Sequence, residues 1–212
     1  MTDWLVIFTM IHAILFTTMP PMESRSLRQM IWDYLSAKKM NKEIAIRAVD
    51  DALKLDGYIE KSENWDENIK KYLACCFIDF PAPYCIAFTK YRLIKAAEAL
   101  NLKLSDEFMK LDAWTPNWKN YALKHDIFIP VGEARLNHKL IQKGFIILFH
   151  SDVKDRIYHG GLVVSSTKDG VWTIEANTTN SANGSLENGE GIFKKFRRWS
   201  TLGLRGGFMR TY

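Results

Sequence analysis

Before residue 144 the apolar side chains recur every three or four positions, and after it they tend to alternate with polar ones. Ser24 to Lys39 carries Leu27, Ile31, Tyr34 and Leu35 at helical spacing. Lys42 to Leu55 repeats the pattern with Ile44, Ala48, Ala52 and Leu55, and Gly57 is a natural stop. A polar stretch, EKSENWDEN, reads as a loop, and Ile69, Leu73 and Phe77 predict a third helix over Asp66–Phe77. Pro81 and Pro83 then bias Phe80 and Ala82 away from the helical region. The next helix can begin only after them, and Ile86, Leu93, Ile94, Ala97 and Leu100 give it one buried stripe. Thr115-Pro116 opens another helix, with proline at the position where its missing N–H costs nothing. From Gly144 onward, GFIILFH, YHGGLVVSS, GVWTIEAN and GGFMRTY are short, rich in β-branched and aromatic residues, and separated by turn formers. Asp169-Gly170 marks a turn, and NTTNSANGSLENGEG a surface loop. Helices followed by an antiparallel sheet predict an α+β fold with the helices packed on the sheet.

The first 22 residues stand apart as a hydrophobic leader. Leu5 to Met19 is nearly all apolar and uncharged, short for a membrane span, and ended by Pro20-Pro21. Its length suits a signal peptide or anchor in contact with a membrane, although Asp3 precedes it and no Ala-x-Ala follows. The alternative is an extended start, or a hydrophobic helix packed on the domain. Residues 23–212 read as a single domain.

Composition changes this picture little. Of 212 residues, 47% are apolar and 25% charged, enough for an ordinary core. The net charge of +5 favours anionic partners without naming one. The one tight basic run, Lys194, Lys195, Arg197 and Arg198, reads as a solvated strand edge, so no nucleic-acid partner is expected. Three cysteines do not make a disulfide scaffold. Cys75 and Cys76 lie in an apolar helical stretch and read as core. The histidines (His12, His125, His138, His150 and His159) form no His-x-x-x-His pair, so no metal is expected.

Cys85 is different, because it falls in the first turn of a helix. There the unpaired amides and the positive end of the helix favour a thiolate, and the same amides could hold an oxyanion. A thiolate nucleophile needs a base, and the base needs an orienting acceptor. His159 opens a strand and is followed by Gly160 and Gly161, which would leave its ring uncrowded. Glu175 and Asn177 share a face of the next strand and could each accept from the second ring nitrogen. Taken alone, a histidine on a strand is more often structural. It is the order of the three, on these elements, that points to chemistry. A two-residue Asp169-Gly170 turn would set His159 across from Asn180. A longer turn centred on Thr167 would set it directly opposite Glu175, and that is the register expected here.

PYCIAFTKY, GFIILF with YHGGLVV, WTIEANT and GGFMRTY together resemble the CHAP-type amidase/peptidases of the NlpC/P60 superfamily, and the upstream GYIEKSENWDENIKKYL is similar to the segment preceding the cysteine in phage-related members. The resemblance spans Ile44 to Tyr212. It implies a papain-like core, with Cys85 as nucleophile, His159 as base, Glu175 as orienting acid and Asn177 as supporting amide. Tyr84 and Trp172 are the aromatic candidates for substrate binding. It also implies hydrolysis of an amide in bacterial peptidoglycan by a monomer without a cofactor. The setting would be the cell envelope or the exterior, or the cytoplasm until release if the protein is phage-derived. Some members carry acidic calcium loops before the cysteine. Here only Asp79 is nearby, so no calcium is expected. The alternatives are a non-catalytic domain that keeps the fold for binding, and a cysteine peptidase acting on another amide.

Overall fold

The computed structural model describes residues 40–180 and 189–212. The leader, the helix expected over Ser24–Lys39 and the middle of the polar loop after Asn180 lie outside them. The described residues form an α+β fold of six α-helices and one seven-stranded antiparallel sheet. None of the described helices is long and apolar enough to cross a membrane.

Six α-helices, with two short strands among them, precede the long strands of the sheet. Asn41 caps α1 (Lys42–Leu53) by accepting from the Glu43 amide at 2.7 Å, and Ile44, Ala45, Ala48, Val49 and Ala52 are its buried face. A two-residue strand, β1 (Tyr58–Ile59), follows. Asp66 caps α2 (Glu67–Ala74), accepting from Asn68 and Ile69 at 2.9 and 3.1 Å. Two extended prolines later comes α3 (Cys85–Ala99), the longest described helix, which packs on α1, β4 and β5. A short α4 (Asp106–Met109) and α5 (Thr115–Lys124) lead into β2 (Phe128–Pro130) and α6 (Val131–Leu136).

The remaining strands are β3 (Ile146–Ser151), β4 (Arg156–Ser166), β5 (Gly170–Thr178), β6 (Gly191–Arg198) and β7 (Gly207–Met209), in the order β1-β6-β5-β4-β3-β7-β2. One face meets the helices through Leu148, Leu162, Ile174, Ala176 and Ile192. The other buries Ile147, Phe149, Val163, Val171 and Phe208 under Trp199, Leu202 and the segment around α6.

Three expectations change. The basic run is β6, which pairs with β5 along its whole length and with β1 at its start, so it is no solvated edge. Lys195 is buried and Arg197 largely so, because alternate residues of β6 point into the protein. Secondly, the hairpin turn is neither of those expected. Thr167 donates to Gly170 at 2.8 Å, closing a two-residue Lys168-Asp169 turn, and a bulge between Val163 and Ser165 shifts the register further along. Thirdly, α2 stops at Ala74 instead of Phe77. Phe77 has a left-handed backbone and is 74% exposed.

Lys90 explains that early stop. Its side chain is fully buried, and its ammonium donates to the carbonyls of Cys75 (2.8 Å), Met109 (2.8 Å) and Leu111 (2.5 Å). Among the described residues no carboxylate pairs with it. The C-terminal carbonyl of α2 and two carbonyls after α4 are thereby satisfied by one cation on α3, and the Phe77 ring lies over the same ammonium, 5.1 Å from centroid to nitrogen. Lys90→Met should keep the volume but strand those carbonyls. We expect a loss of about 2–4 kcal/mol, read as a lower urea midpoint with an unchanged slope.

Candidate active site

Cys85 opens α3, and only 5% of it is exposed. The preceding residue, Tyr84, makes no side-chain cap, so no side chain competes for the first-turn amides beside the thiol. The helix can lie this close to the sheet because β4 carries glycine at 160. A Cβ there would come within 2.8 Å of Ile86 Cδ1 and 3.0 Å of the Ile147 carbonyl.

The second glycine serves the opposite face. In the register Leu162↔Ile174, Gly161 stands across from Glu175, and His159 is one pleat further along. His159 and Glu175 are therefore diagonal neighbours, not directly opposed as expected. A Cβ at residue 161 would sit 2.7 Å from Glu175 Cγ. The missing side chain lets Glu175 lean across the strand to His159, and Oε2 meets Nε2 at 2.9 Å.

Glu175 is completely buried, and its carboxylate is fully engaged. Arg197 holds it in bidentate fashion, Nε to Oε1 at 2.8 Å and a terminal nitrogen to Oε2 at 2.5 Å, and Thr173 donates to Oε1 at 2.5 Å. Burial alone would raise the Glu175 pKa. The hydrogen bonds and charges of Arg197 and His159 outweigh it and hold the carboxyl near 2. His159, also fully buried, has Nε2 taken by Glu175. Nδ1 makes no standard hydrogen bond and is the nitrogen left for the Cys85 thiol. Burial pulls the His159 pKa down. The charge and hydrogen bond of a Cys85 thiolate, and then those of Glu175, raise it to about 9. The arrangement therefore sets the imidazole between the thiol and a carboxylate that a guanidinium holds in place.

The structure brings Cys85, His159 and Glu175 together, with Asn177 two residues beyond Glu175 on β5; Tyr84 and Trp172 lie outside that cluster. Asn177 has a left-handed backbone at the bulge where the β5–β6 register shifts, and its backbone N–H faces the Tyr84 hydroxyl. Tyr84 itself is fully buried beside Glu60 and cannot touch a bound molecule. Trp172 stacks on Phe196 at 5.0 Å beneath Lys194, outside the lining of the cleft that holds the thiol. That cleft, about 460 Å³, runs from Cys85 past Ala82 and Pro83 to Trp114, Arg156 and Tyr158. Arg197 and Thr173 were not anticipated. The signal for Arg197 was the two-residue period of β6, which puts Phe193, Lys195 and Arg197 on one face. No group of three potential metal-ligating side chains occurs among the described residues.

Compared with protein-family models, curated proteins and solved structures, the chain matches none.

Two outcomes follow from the geometry. The Glu175 pKa is depressed from its ordinary 4.5, so its stabilisation is present above pH 4.5 and is lost as pH falls through about 2. Glu175→Gln should be less stable at pH 7 by roughly 3–5 kcal/mol, since it strands Arg197, and its melting temperature should vary less across that acid window. Gly161→Ala should force Glu175 away from the ring. We expect a loss of about 1–3 kcal/mol and, by NMR titration, a His159 pKa below that of the parent protein.

Proposed function

We propose that the protein is a cysteine amidase or peptidase that hydrolyses an amide of bacterial peptidoglycan, with a papain-like arrangement of its site. The observation that carries this reading is the ordered contact Cys85–His159–Glu175, with the thiol at a helix start and the imidazole between thiol and carboxylate. The choice of peptidoglycan rests on the resemblance of the motifs around these residues to the CHAP-type enzymes.

In this mechanism the Cys85 thiolate attacks the amide carbonyl, and the C=O electron pair moves onto oxygen. The first-turn amides of α3 lie beside the thiol and are the in-chain donors for that oxyanion. The His159 imidazolium gives its Nδ1 proton to the leaving nitrogen, the C–N bond breaks, and a thioester remains on Cys85. His159 then takes a proton from water, whose oxygen attacks the thioester. Collapse of that intermediate releases a carboxylic acid and restores the thiolate. Glu175 stays ionised throughout. It fixes the ring through Nε2 and stabilises each imidazolium, and Arg197 and Thr173 hold it in place. The Trp114 side of the cleft, in place of Tyr84 or Trp172, is where a peptide would lie.

Digestion of purified peptidoglycan, with mass spectrometry of the new ends, tests the reading and identifies the bond. Cys85→Ala and His159→Ala should each abolish release of product, because nucleophile and base act as one unit. The alkaline limb of kcat/KM should fall near pH 9, where His159 loses its proton, and should move to lower pH in Glu175→Gln. Brief alkylation followed by peptide mapping should label Cys85 well ahead of Cys75 and Cys76. An inert Cys85, or product released equally by Cys85→Ala, would leave only a binding domain.

A further inference from the structure

The cleft beside Cys85 is apolar along much of its wall, with Ile78, Ala82, Pro83 and Ala113 among its lining. Its charged lining residues are Asp112, Lys154 and Arg156. Asp112 is committed inward: both carboxylate oxygens accept from Asn117 Nδ2 at 3.1 Å, and one also accepts the Trp114 amide at 3.0 Å. Those bonds fix its position, and it leaves the cleft with one carboxylate against two cations.

Arg156 is placed differently. Its guanidinium lies over the Trp114 ring at 4.4 Å, on the rim of the cleft. One terminal nitrogen donates to the Ile157 carbonyl at 3.1 Å. A guanidinium has five N–H donors in its plane, so stacking on a ring leaves the edge available while the face is occupied. Among the described residues no carboxylate pairs with Arg156. The acidic side chains nearest in sequence, Asp152 and Asp155, are held by Arg205 instead. The result is a half-buried, preoriented fork with edge donors to spare, in the same cleft as the nucleophile.

We propose that Arg156, stacked on Trp114, is a specificity residue that binds a free carboxylate of the substrate close to the scissile amide. This rests on the amidase reading above and narrows it. The favoured substrate is a peptide amide flanked by an unamidated carboxylate, and the same peptide with that carboxylate amidated is the poorer one. The planar fork matches a carboxylate with two parallel hydrogen bonds, and the neighbouring apolar wall lowers the competing hydration.

Alkylation of Cys85 tests the subsite without any substrate. Iodoacetate and iodoacetamide both react by the thiolate displacing iodide to form an S–CH2 bond, and they differ in presenting a carboxylate or an amide. The rate ratio of iodoacetate to iodoacetamide at Cys85, followed by peptide mapping, reads the subsite directly. His159 also attracts the anion, so the comparison is between variants. Arg156→Gln should lower the ratio roughly tenfold while leaving the iodoacetamide rate close to that of the parent protein. Arg156→Lys should lower it less, and Lys194→Gln, which removes a charge outside the cleft, should leave it unchanged. A ratio unaffected by Arg156→Gln, with Cys85 still reactive toward iodoacetamide, overturns the subsite and spares the amidase reading. A Cys85 inert to both reagents overturns both. A ratio lowered equally by Lys194→Gln assigns the effect to net charge and also overturns the subsite.

Discussion

A carboxylate with no access to water governs this molecule. Glu175 is ionised in the middle of the sheet, and an isolated charge there would cost several kcal/mol or more. It is tolerated because Arg197, Thr173 and His159 supply its hydrogen bonds from two neighbouring strands and its own. That requirement fixes much else. β4, β5 and β6 must hold their registers, since a slip of one residue would turn Arg197 or His159 to the other face. Position 161 must carry no side chain, because Glu175 occupies the space. Strand order, register and one glycine are thus tied to a single buried charge.

The same charge makes the thiol's environment intelligible. A histidine buried without a partner would be neutral, and its cysteine would be an ordinary thiol. Here the carboxylate stands behind the ring and the thiol before it, and both hold the His159 pKa up. Arg197 limits the effect: it shares the carboxylate's charge, which keeps Glu175 ionised while leaving His159 able to give up its proton.

Much of this was legible in the sequence, and the failures have identifiable causes. The prolines before Cys85 and the stripe after it were enough to place the helix that carries Cys85, since proline geometry is local. The alternation in GFIILFH, YHGGLVVSS and WTIEAN located the three central strands for the same reason. Register was not legible: it depended on a two-residue turn at Lys168-Asp169 and on a bulge at Val164, and neither has a distinctive local signal. The partnership of His159 with Glu175 was expected from the right residues by the wrong geometry. Arg197 was overlooked because a run of four cations looks solvated until a buried acid is known to need one. Trp172 and Tyr84 lie within the motifs along the chain, but the tryptophan that lines the cleft is Trp114, from a segment with no motif of its own.

The three carbonyls gathered by Lys90 carry a consequence for how the site comes apart. They lie 15, 19 and 21 residues from the lysine along the chain, on separate segments. None can be satisfied by that ammonium until α3 has docked, and none can leave without exposing a desolvated cation to the others' loss. Local fraying of the segment after α2, or of the loop approaching Trp114, is therefore coupled to movement of the helix that carries Cys85. In hydrogen exchange these segments and the first half of α3 would behave as one opening unit, so that the cleft is either assembled around its thiol or absent, with little populated in between.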